Sequence, residues 1–182
     1  MDANVGRVLN PSAAAKRPLL AGDGLRTRAT LAIIVCSALF IVVLGVSAYW
    51  DPTIRELHLF EALPYVVAAV LCLRRNRFGY ALGFVSGAFW LSMSGWRTTF
   101  VRNGFELLAV GNFDRPDILI AVPAAIATGG LALFSMVGYL QQPAKRPRDI
   151  FLFVAALVIV PLFFIAIFAA FAPRFLGIFG FH

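Results

Sequence analysis

The chain has 182 residues, of which 60% are hydrophobic and only 14% are charged, and its mean hydropathy is +0.84. A typical soluble domain carries about 25% charged residues. A soluble fold of this length also has too much surface to hide so many apolar side chains. The composition therefore excludes an ordinary soluble domain and indicates a protein embedded in lipid.

Five apolar runs follow one another along the chain, separated by short charged connections. A helix needs about 20 apolar residues to cross a hydrocarbon core about 30 Å thick. The runs lack the period-two alternation of membrane β-strands, and backbone in lipid must satisfy its own hydrogen bonds. We therefore predict an all-α polytopic membrane protein, a bundle of five transmembrane helices over residues 29–50, 57–73, 78–96, 118–140 and 150–172.

The distribution of basic residues predicts the orientation of these helices. The formal net charge of +7 would point to nucleic acid in a soluble chain. Here eleven basic residues fall in the N-terminal tail, the second connection and the fourth connection, and five fall elsewhere. The positive-inside rule places the eleven in the cytoplasm, so the N-terminus is predicted inside and the C-terminus outside. The lipid bilayer, and not nucleic acid, is the expected partner, most simply in the cytoplasmic membrane of a bacterium.

The domain organisation follows from the same pattern. Residues 1–28 are predicted as a mobile basic cytoplasmic tail, residues 29–172 as the transmembrane domain, and residues 173–182 as a short outer tail. Val46-Ser47-Ala48 has the small-residue pattern of a signal-peptidase site. The basic tail and the apolar run are longer than those of a signal peptide, which favours an uncleaved anchor over cleavage after Ala48.

The third span carries a candidate packing face. Gly79, Gly83 and Gly87 recur at a spacing of four, which gives two overlapping small-xxx-small motifs on one side of the helix. Such a face lets the backbone of another helix approach closely. We predict that this span is the central packing helix of the bundle, and that the fifth span, whose side chains are apolar throughout, is the most exposed to lipid.

The connection between the third and fourth spans is predicted to contain a short surface helix. Phe100, Phe105 and Leu108 are candidates for one apolar face, and Arg102 and Glu106 are spaced to pair. Four aromatic residues lie toward the predicted outer ends of their spans. They fit an interfacial belt better than a ligand cage, and they are Tyr49, Trp50, Trp90 and Trp96.

His58-x-x-Glu61 is the sharpest candidate for chemistry. Residues three apart lie on one helical face and can hydrogen-bond, and a carboxylate inside a span marks a functional site by default. Tyr65, one turn further on, is placed to donate to Glu61. The pair could relay protons, hold a cation or neutralise a bound amine. The alternative is structural: Glu61 lies near the headgroups and pairs with Arg97 or Arg102. Burial of Glu61 discriminates between the two.

A second candidate site is the short basic turn that contains Arg74, Arg75 and Arg77. It is either a contact for anionic lipid headgroups or a determinant of topology. No metal site is predicted, because two ligands on one helix are fewer than the three or four that zinc or iron takes. No cofactor is predicted either.

The sequence carries no recognisable catalytic motif, such as a Walker A loop, a dinucleotide fingerprint or a G-x-S-x-G elbow. This absence favours a structural or accessory subunit, in a homo-oligomer or a larger membrane complex, over an enzyme. The alternative is a minimal transporter or channel-like protein that uses Glu61 and His58.

Overall fold

The computed structural model describes residues 17–142 and 146–180. The described residues are 86% helical, and no strand occurs in these two ranges, which confirms the all-α prediction. The α-helices are α1 (Arg17–Trp50), α2 (Arg55–Glu61), α3 (Leu63–Leu73), α4 (Arg77–Ser92), α5 (Phe100–Ala109), α6 (Pro116–Leu119), α7 (Ala121–Leu140) and α8 (Asp149–Phe171).

Three shorter helical segments complete the fold. A first 3₁₀ turn, Pro52–Ile54, joins α1 to α2. A π-helical turn, Met93–Arg97, continues α4, and its last hydrogen bond runs from the Thr98 amide to the Met93 carbonyl over 2.9 Å. A C-terminal 3₁₀ helix, Pro173–Phe179, follows α8.

Four segments of the described chain are long and apolar enough to cross a membrane. They are Thr27–Trp50, Pro52–Leu73, Pro116–Leu140 and Asp149–Phe171. They correspond to four of the five predicted spans and support a membrane protein. The remaining prediction, residues 78–96, coincides with α4 and the π-helical turn, where the α-helix itself has only 16 residues.

The first helix is longer than the first apolar run. It begins at Arg17, so residues predicted as part of a mobile tail continue the helix that enters the bundle. The basic residues Arg7, Lys16 and Lys145 and the last two residues of the predicted outer tail lie outside the described residues.

Proline divides two of the four candidate spans. Pro64 lacks the N–H that would bond to the carbonyl of residue 60, and the helix ends at Glu61 and restarts at Leu63. Pro123 lies in the first turn of α7, just after the junction with α6 at Ile120. A proline fits such a first turn, where its missing donor has no partner to lose. The first of these junctions places Glu61 at the end of a helix inside the bundle.

The bundle is built around α4, which contacts α3, α7 and α8, while α1 packs on α7 and α3. The three glycines of α4 are buried at these contacts. Gly79 faces α3, where a Cβ would lie 2.6 Å from Leu71 Cβ. Gly83 and Gly87 face α7, and a Cβ on Gly87 would collide with the Thr128 carbonyl oxygen. In this structure the small residues let the α4 and α7 backbones come into direct contact.

The last helix, α8, is the least buried of the four candidate spans, as predicted for the fifth apolar run. Its buried residues are spaced at helical intervals, so a single face meets the bundle; beyond Asp149 they are Ala156, Val160, Phe164 and Ile167. Large apolar side chains such as Phe151 and Leu157 are exposed on the other faces, where they suit contact with lipid.

The contact between α4 and α7 can be tested at Gly87. A Gly87→Ala change would force the two backbones apart, and we expect a loss of about 1–3 kcal/mol, typical of overpacking. The matched control is Gly45→Ala in α1, where an added Cβ meets nothing within 4 Å and where Ala is about 0.5–1 kcal/mol better than Gly in a helix. Thermal unfolding in detergent is the measurement, and an unchanged midpoint for Gly87→Ala would contradict the proposed contact.

Candidate functional site

A cavity of about 260 Å³ opens in the half of the bundle that contains Glu61. We call it the Glu61 cavity. Its walls come from α1, α2, α4, α7 and α8, and the two 3₁₀ segments and α5 close its end. Five polar side chains contribute to an otherwise apolar lining, namely Ser47, His58, Glu61, Ser94 and Thr98.

His58 and Glu61 form a hydrogen-bonded pair in the last turns of α2, as predicted from their spacing. His58 Nδ1 lies 2.9 Å from Glu61 Oε2. The other ring nitrogen, Nε2, lies 3.1 Å from Ser47 Oγ on α1. The imidazole therefore connects two helices and leaves the second carboxylate oxygen of Glu61 without a role in the pair.

The hydrogen-bond pattern defines how this group can hold a proton. An ionised carboxylate only accepts, so with ionised Glu61 the hydrogen lies on His58 Nδ1 and Nε2 accepts from the Ser47 hydroxyl. In the imidazolium form both ring nitrogens donate, to Glu61 and to Ser47. The same geometry thus accommodates one added proton without rearrangement of heavy atoms.

Glu61 is buried: only 4% of its surface is exposed. It borders the Glu61 cavity on one side and a smaller cavity of about 80 Å³ on the other. Arg102, one of the two arginines considered as its partner, pairs with Glu106 at 3.2 Å instead. The structure therefore places Glu61 inside the bundle, next to open space. A buried carboxylate is costly unless it is partnered, and His58 supplies a partner.

Aromatic side chains form much of the remaining wall. Phe40 packs edge-on against Trp90 with ring centroids 5.2 Å apart. Phe100, Phe168 and Phe175 also line the cavity. Aromatic faces attract cations, most strongly in a desolvated site, so this wall complements the carboxylate.

Trp90 corrects one prediction. It is only 8% exposed and belongs to the cavity wall, so its assignment to an interfacial belt is wrong. Tyr49, Trp50 and Trp96 are exposed. The reason is the position of α4 at the centre of the bundle, which buries residues on every side of that helix.

Tyr65 also differs from the prediction. It is fully buried beneath Phe40, with ring centroids 4.3 Å apart. Its hydroxyl donates to the Ser86 carbonyl oxygen on α4 at 3.4 Å, and not to Glu61 as predicted. The tilted contact with Phe40 and the bond to Ser86 place the ring between α1 and α4, so Tyr65 contributes to helix packing.

Ser47, Ser94 and Thr98 were not predicted as site residues. Ser94 and Thr98 border both cavities, and the Thr98 hydroxyl donates to the Ser94 carbonyl at 3.0 Å. Both depend on the π-helical turn, a feature that is rare and frequently found at functional sites. No local sequence signal reveals such a turn, whereas Ser47 is recognisable only once α1 and α2 are known to pack together.

A polar contact joins the two 3₁₀ segments that close the cavity. Arg174 donates to Thr53 Oγ1 at 2.8 Å and lies 3.9 Å from the Asp51 carboxylate. The Thr53 hydroxyl and amide both donate to Asp51, and these bonds hold the pKa of this carboxylate below its ordinary value. Because the pKa of Asp51 is lowered, its ionised form stabilises the folded state. This stabilisation is lost only as the pH falls through the lowered pKa.

The other predicted site residues lie away from the cavity. The glycines of α4 serve the helix contacts described above. Arg74 and Arg75 are exposed at the turn between α3 and α4. Arg77 forms an ion pair with the buried Asp149 at the start of α8. The structure thus separates Arg77 from the exposed arginines that precede it.

No known protein family, curated protein or solved structure matches this chain. Across residues 17–142 and 146–180, no three His, Cys, Asp or Glu side chains come together in a group able to hold a metal ion. The groups that the site offers for chemistry are the Glu61 carboxylate, the His58 imidazole and the aromatic wall.

The contact that closes the cavity can be tested through Trp90. In a protein whose other tryptophans are replaced by Phe, Arg174→Gln should increase acrylamide quenching of Trp90 fluorescence, because the C-terminal 3₁₀ helix loses its link to Thr53. Arg102→Gln removes the same charge from an exposed pair elsewhere and should leave quenching unchanged. Equal quenching in the two variants would show that Arg174 does not hold the cavity closed.

Proposed function

We propose that this chain is a multi-pass membrane protein that binds a small organic cation in the Glu61 cavity, and that it acts as a minimal transporter. The observation that carries the proposal is the Glu61 carboxylate, which is 4% exposed and borders two cavities while it is bonded to His58. A structural carboxylate has no need of open space beside it.

The lining of the cavity favours a cation over an anion or a neutral ligand. Glu61 is its acidic side chain, and neither Lys nor Arg is among the described residues that line it. Glu61 is buried, and water screens the Coulomb attraction to a buried carboxylate less than it does at the surface. The aromatic wall adds cation–π attraction, which is the usual means of binding ammonium groups that cannot donate hydrogen bonds. The volume of about 260 Å³ suits a small ligand.

His58 adds a way to exchange a proton for the cation. When the site is empty, the pair can hold one proton between Glu61 and the imidazole. When a cation enters, it neutralises Glu61, and the proton leaves to water. Charge in the cavity stays constant through the exchange, which avoids the cost of an unpaired buried charge. Such competition is the basis of proton-coupled transport.

The binding proposal can be tested with a pair of model compounds. Benzyltrimethylammonium should bind the purified protein in detergent, whereas neopentylbenzene, its uncharged isostere, should bind at least about tenfold more weakly if the charge contributes 1.4 kcal/mol or more. Glu61→Gln should reduce this preference, because the amide keeps the shape and loses the charge, while the aromatic wall retains its weaker attraction for the cation. Isothermal titration calorimetry is the measurement.

Glu106→Gln is the matched control, since Glu106 is an exposed glutamate paired with Arg102 away from the cavity. It should bind the ammonium compound like the wild type. Equal binding of the two compounds to the wild type, or a preference that is undiminished in Glu61→Gln, would overturn the proposal.

We also propose that the chain crosses the membrane five times, with the N-terminus cytoplasmic. The support is the alternation of basic residues along the chain, together with the continuous helical path of α4 and the π-helical turn over residues 77–97. The glycines let this less apolar segment lie in the middle of the bundle, where its neighbours shield it from lipid.

The number of crossings can be tested by its parity. Alkaline phosphatase fused after His182 should be active in a bacterial host, because five crossings place the C-terminus outside. A fusion in the turn at Asn76 should be inactive. Activity at Asn76, or an inactive C-terminal fusion that is expressed at a normal level, would contradict the five-crossing topology.

A role as an accessory subunit is the second candidate function. It is supported by apolar side chains exposed on and beside α5, outside the four candidate spans, namely Trp96, Phe105, Leu108, Val110 and Phe113. Exposed apolar patches of this kind mark surfaces that contact a membrane or another protein. A wild type that binds neither model compound would leave this second function as the better supported one.

A further inference from the structure

Another cavity, separate from the two beside Glu61 and different in chemistry, lies at the opposite end of α4. It has a volume of about 320 Å³ and is formed where α4 begins beside the start of α8. We call it the arginine pocket. Three of its lining residues are arginines, Arg77, Arg146 and Arg148, and the apolar residues Phe151 and Leu152 form another part of its wall.

The local fold explains why these arginines come together. The α3 helix ends with Arg75 in the left-handed region, at φ 56°, and the amides of Arg75 and Asn76 bond back to the last turn. This is the hydrogen-bond pattern of a Schellman motif. Asn76 then caps α4 by accepting from the Phe78 amide at 2.9 Å. The tight turn places Arg77 in the first turn of α4, beside the segment that leads into α8.

Asp149 holds this segment in place. It is 2% exposed and forms an ion pair with Arg77. It also accepts from the Arg146 amide at 3.1 Å and from the Tyr139 hydroxyl at 3.4 Å. Because the carboxylate is occupied by three donors, it holds Arg146 at the start of α8 and offsets only part of the positive charge around the pocket.

The remaining charge favours an anion. Arg146 and Arg148 are exposed, and with Arg77 they set three guanidinium groups against one buried carboxylate. A guanidinium group binds phosphate oxygens through two parallel N–H donors, with better geometry than a lysine ammonium. The pocket therefore matches a phosphate group.

The apolar part of the pocket indicates where the rest of the ligand lies. Phe151 is 70% exposed, and Ile150 beside it is 64% exposed. These residues belong to the outward side of α8, which suits contact with acyl chains. Basic pockets between transmembrane helices are known sites for phospholipid headgroups. The neighbouring Arg75 lines a different cavity, with Thr27 and Leu73, so it does not belong to this arrangement.

We propose that the arginine pocket is a specific site for a phosphate group, presented either by an anionic lipid headgroup or as a free phosphate. Arg146 and Arg148 bind the phosphate, Arg77 completes the basic wall, and Asp149 positions the segment that carries them. This site is independent of cation binding in the Glu61 cavity.

The experiment uses the full chain in nanodiscs of phosphatidylcholine with or without phosphatidylglycerol, and measures the thermal unfolding midpoint and the lipid retained after purification. Phosphatidylglycerol should raise the midpoint and be enriched around the wild type. The double variant Arg146→Gln/Arg148→Gln should lose this enrichment by at least about tenfold, since a hydrogen bond to a charged group contributes about tenfold or more to binding.

The matched control is Arg28→Gln/Arg74→Gln, which removes two exposed arginines that do not line the pocket. It should keep most of the enrichment. Equal losses in the two double variants would show only diffuse attraction to the bilayer and would overturn the proposal, as would a wild type that is indifferent to phosphatidylglycerol and to phosphate.

A second arm identifies the source of the phosphate group. In phosphatidylcholine alone, inorganic phosphate is compared with chloride at equal ionic strength. Stabilisation by phosphate that is lost in Arg146→Gln/Arg148→Gln supports a free phosphate ligand, whereas stabilisation by phosphatidylglycerol alone supports a lipid headgroup. Size-exclusion chromatography confirms that each variant is folded before either arm is interpreted.

Discussion

Direct backbone contact between α4 and α7 determines how the rest of the bundle is arranged. Gly83 and Gly87 remove the side chains that would separate the two helices, so α4 occupies the centre and α3, α7 and α8 pack around it. Helices in lipid gain little from hydrophobic burial against one another, and close van der Waals contact through small residues replaces it. Once α4 is central, Trp90 faces the interior, beside the place where α2 ends.

The interruption at Pro64 is the second constraint, because it places a charged group where a continuous helix would bury only apolar side chains. Glu61 is the last residue of α2, and the chain restarts as α3 after one residue. The cost of burying its carboxylate is offset by His58, which is in turn held by Ser47 on α1. The two cavities beside Glu61 leave room for a ligand next to the carboxylate while His58 remains bonded to it.

Features that depend on local pattern could be predicted from the sequence. The apolar runs predicted helices, the i, i+3 spacing predicted the His58–Glu61 bond, and the i, i+4 spacing predicted the Arg102–Glu106 pair. Features that depend on which helices meet could not be predicted. In the sequence, Trp90 resembles an interfacial residue, and only the central position of α4 shows that it is buried. Tyr65 bonds to Ser86, and its ring packs against Phe40 from another helix.

The contacts of the three arginines near the turn between α3 and α4 also depend on which helices meet. Sequence proximity grouped Arg74, Arg75 and Arg77 together, but the chain turns between them, with Arg75 in the left-handed region and Asn76 capping α4. Arg77 therefore points to Asp149 on α8, 72 residues away in the chain, while its two neighbours remain exposed. In consequence α4 begins at a basic pocket and ends at an acidic cavity.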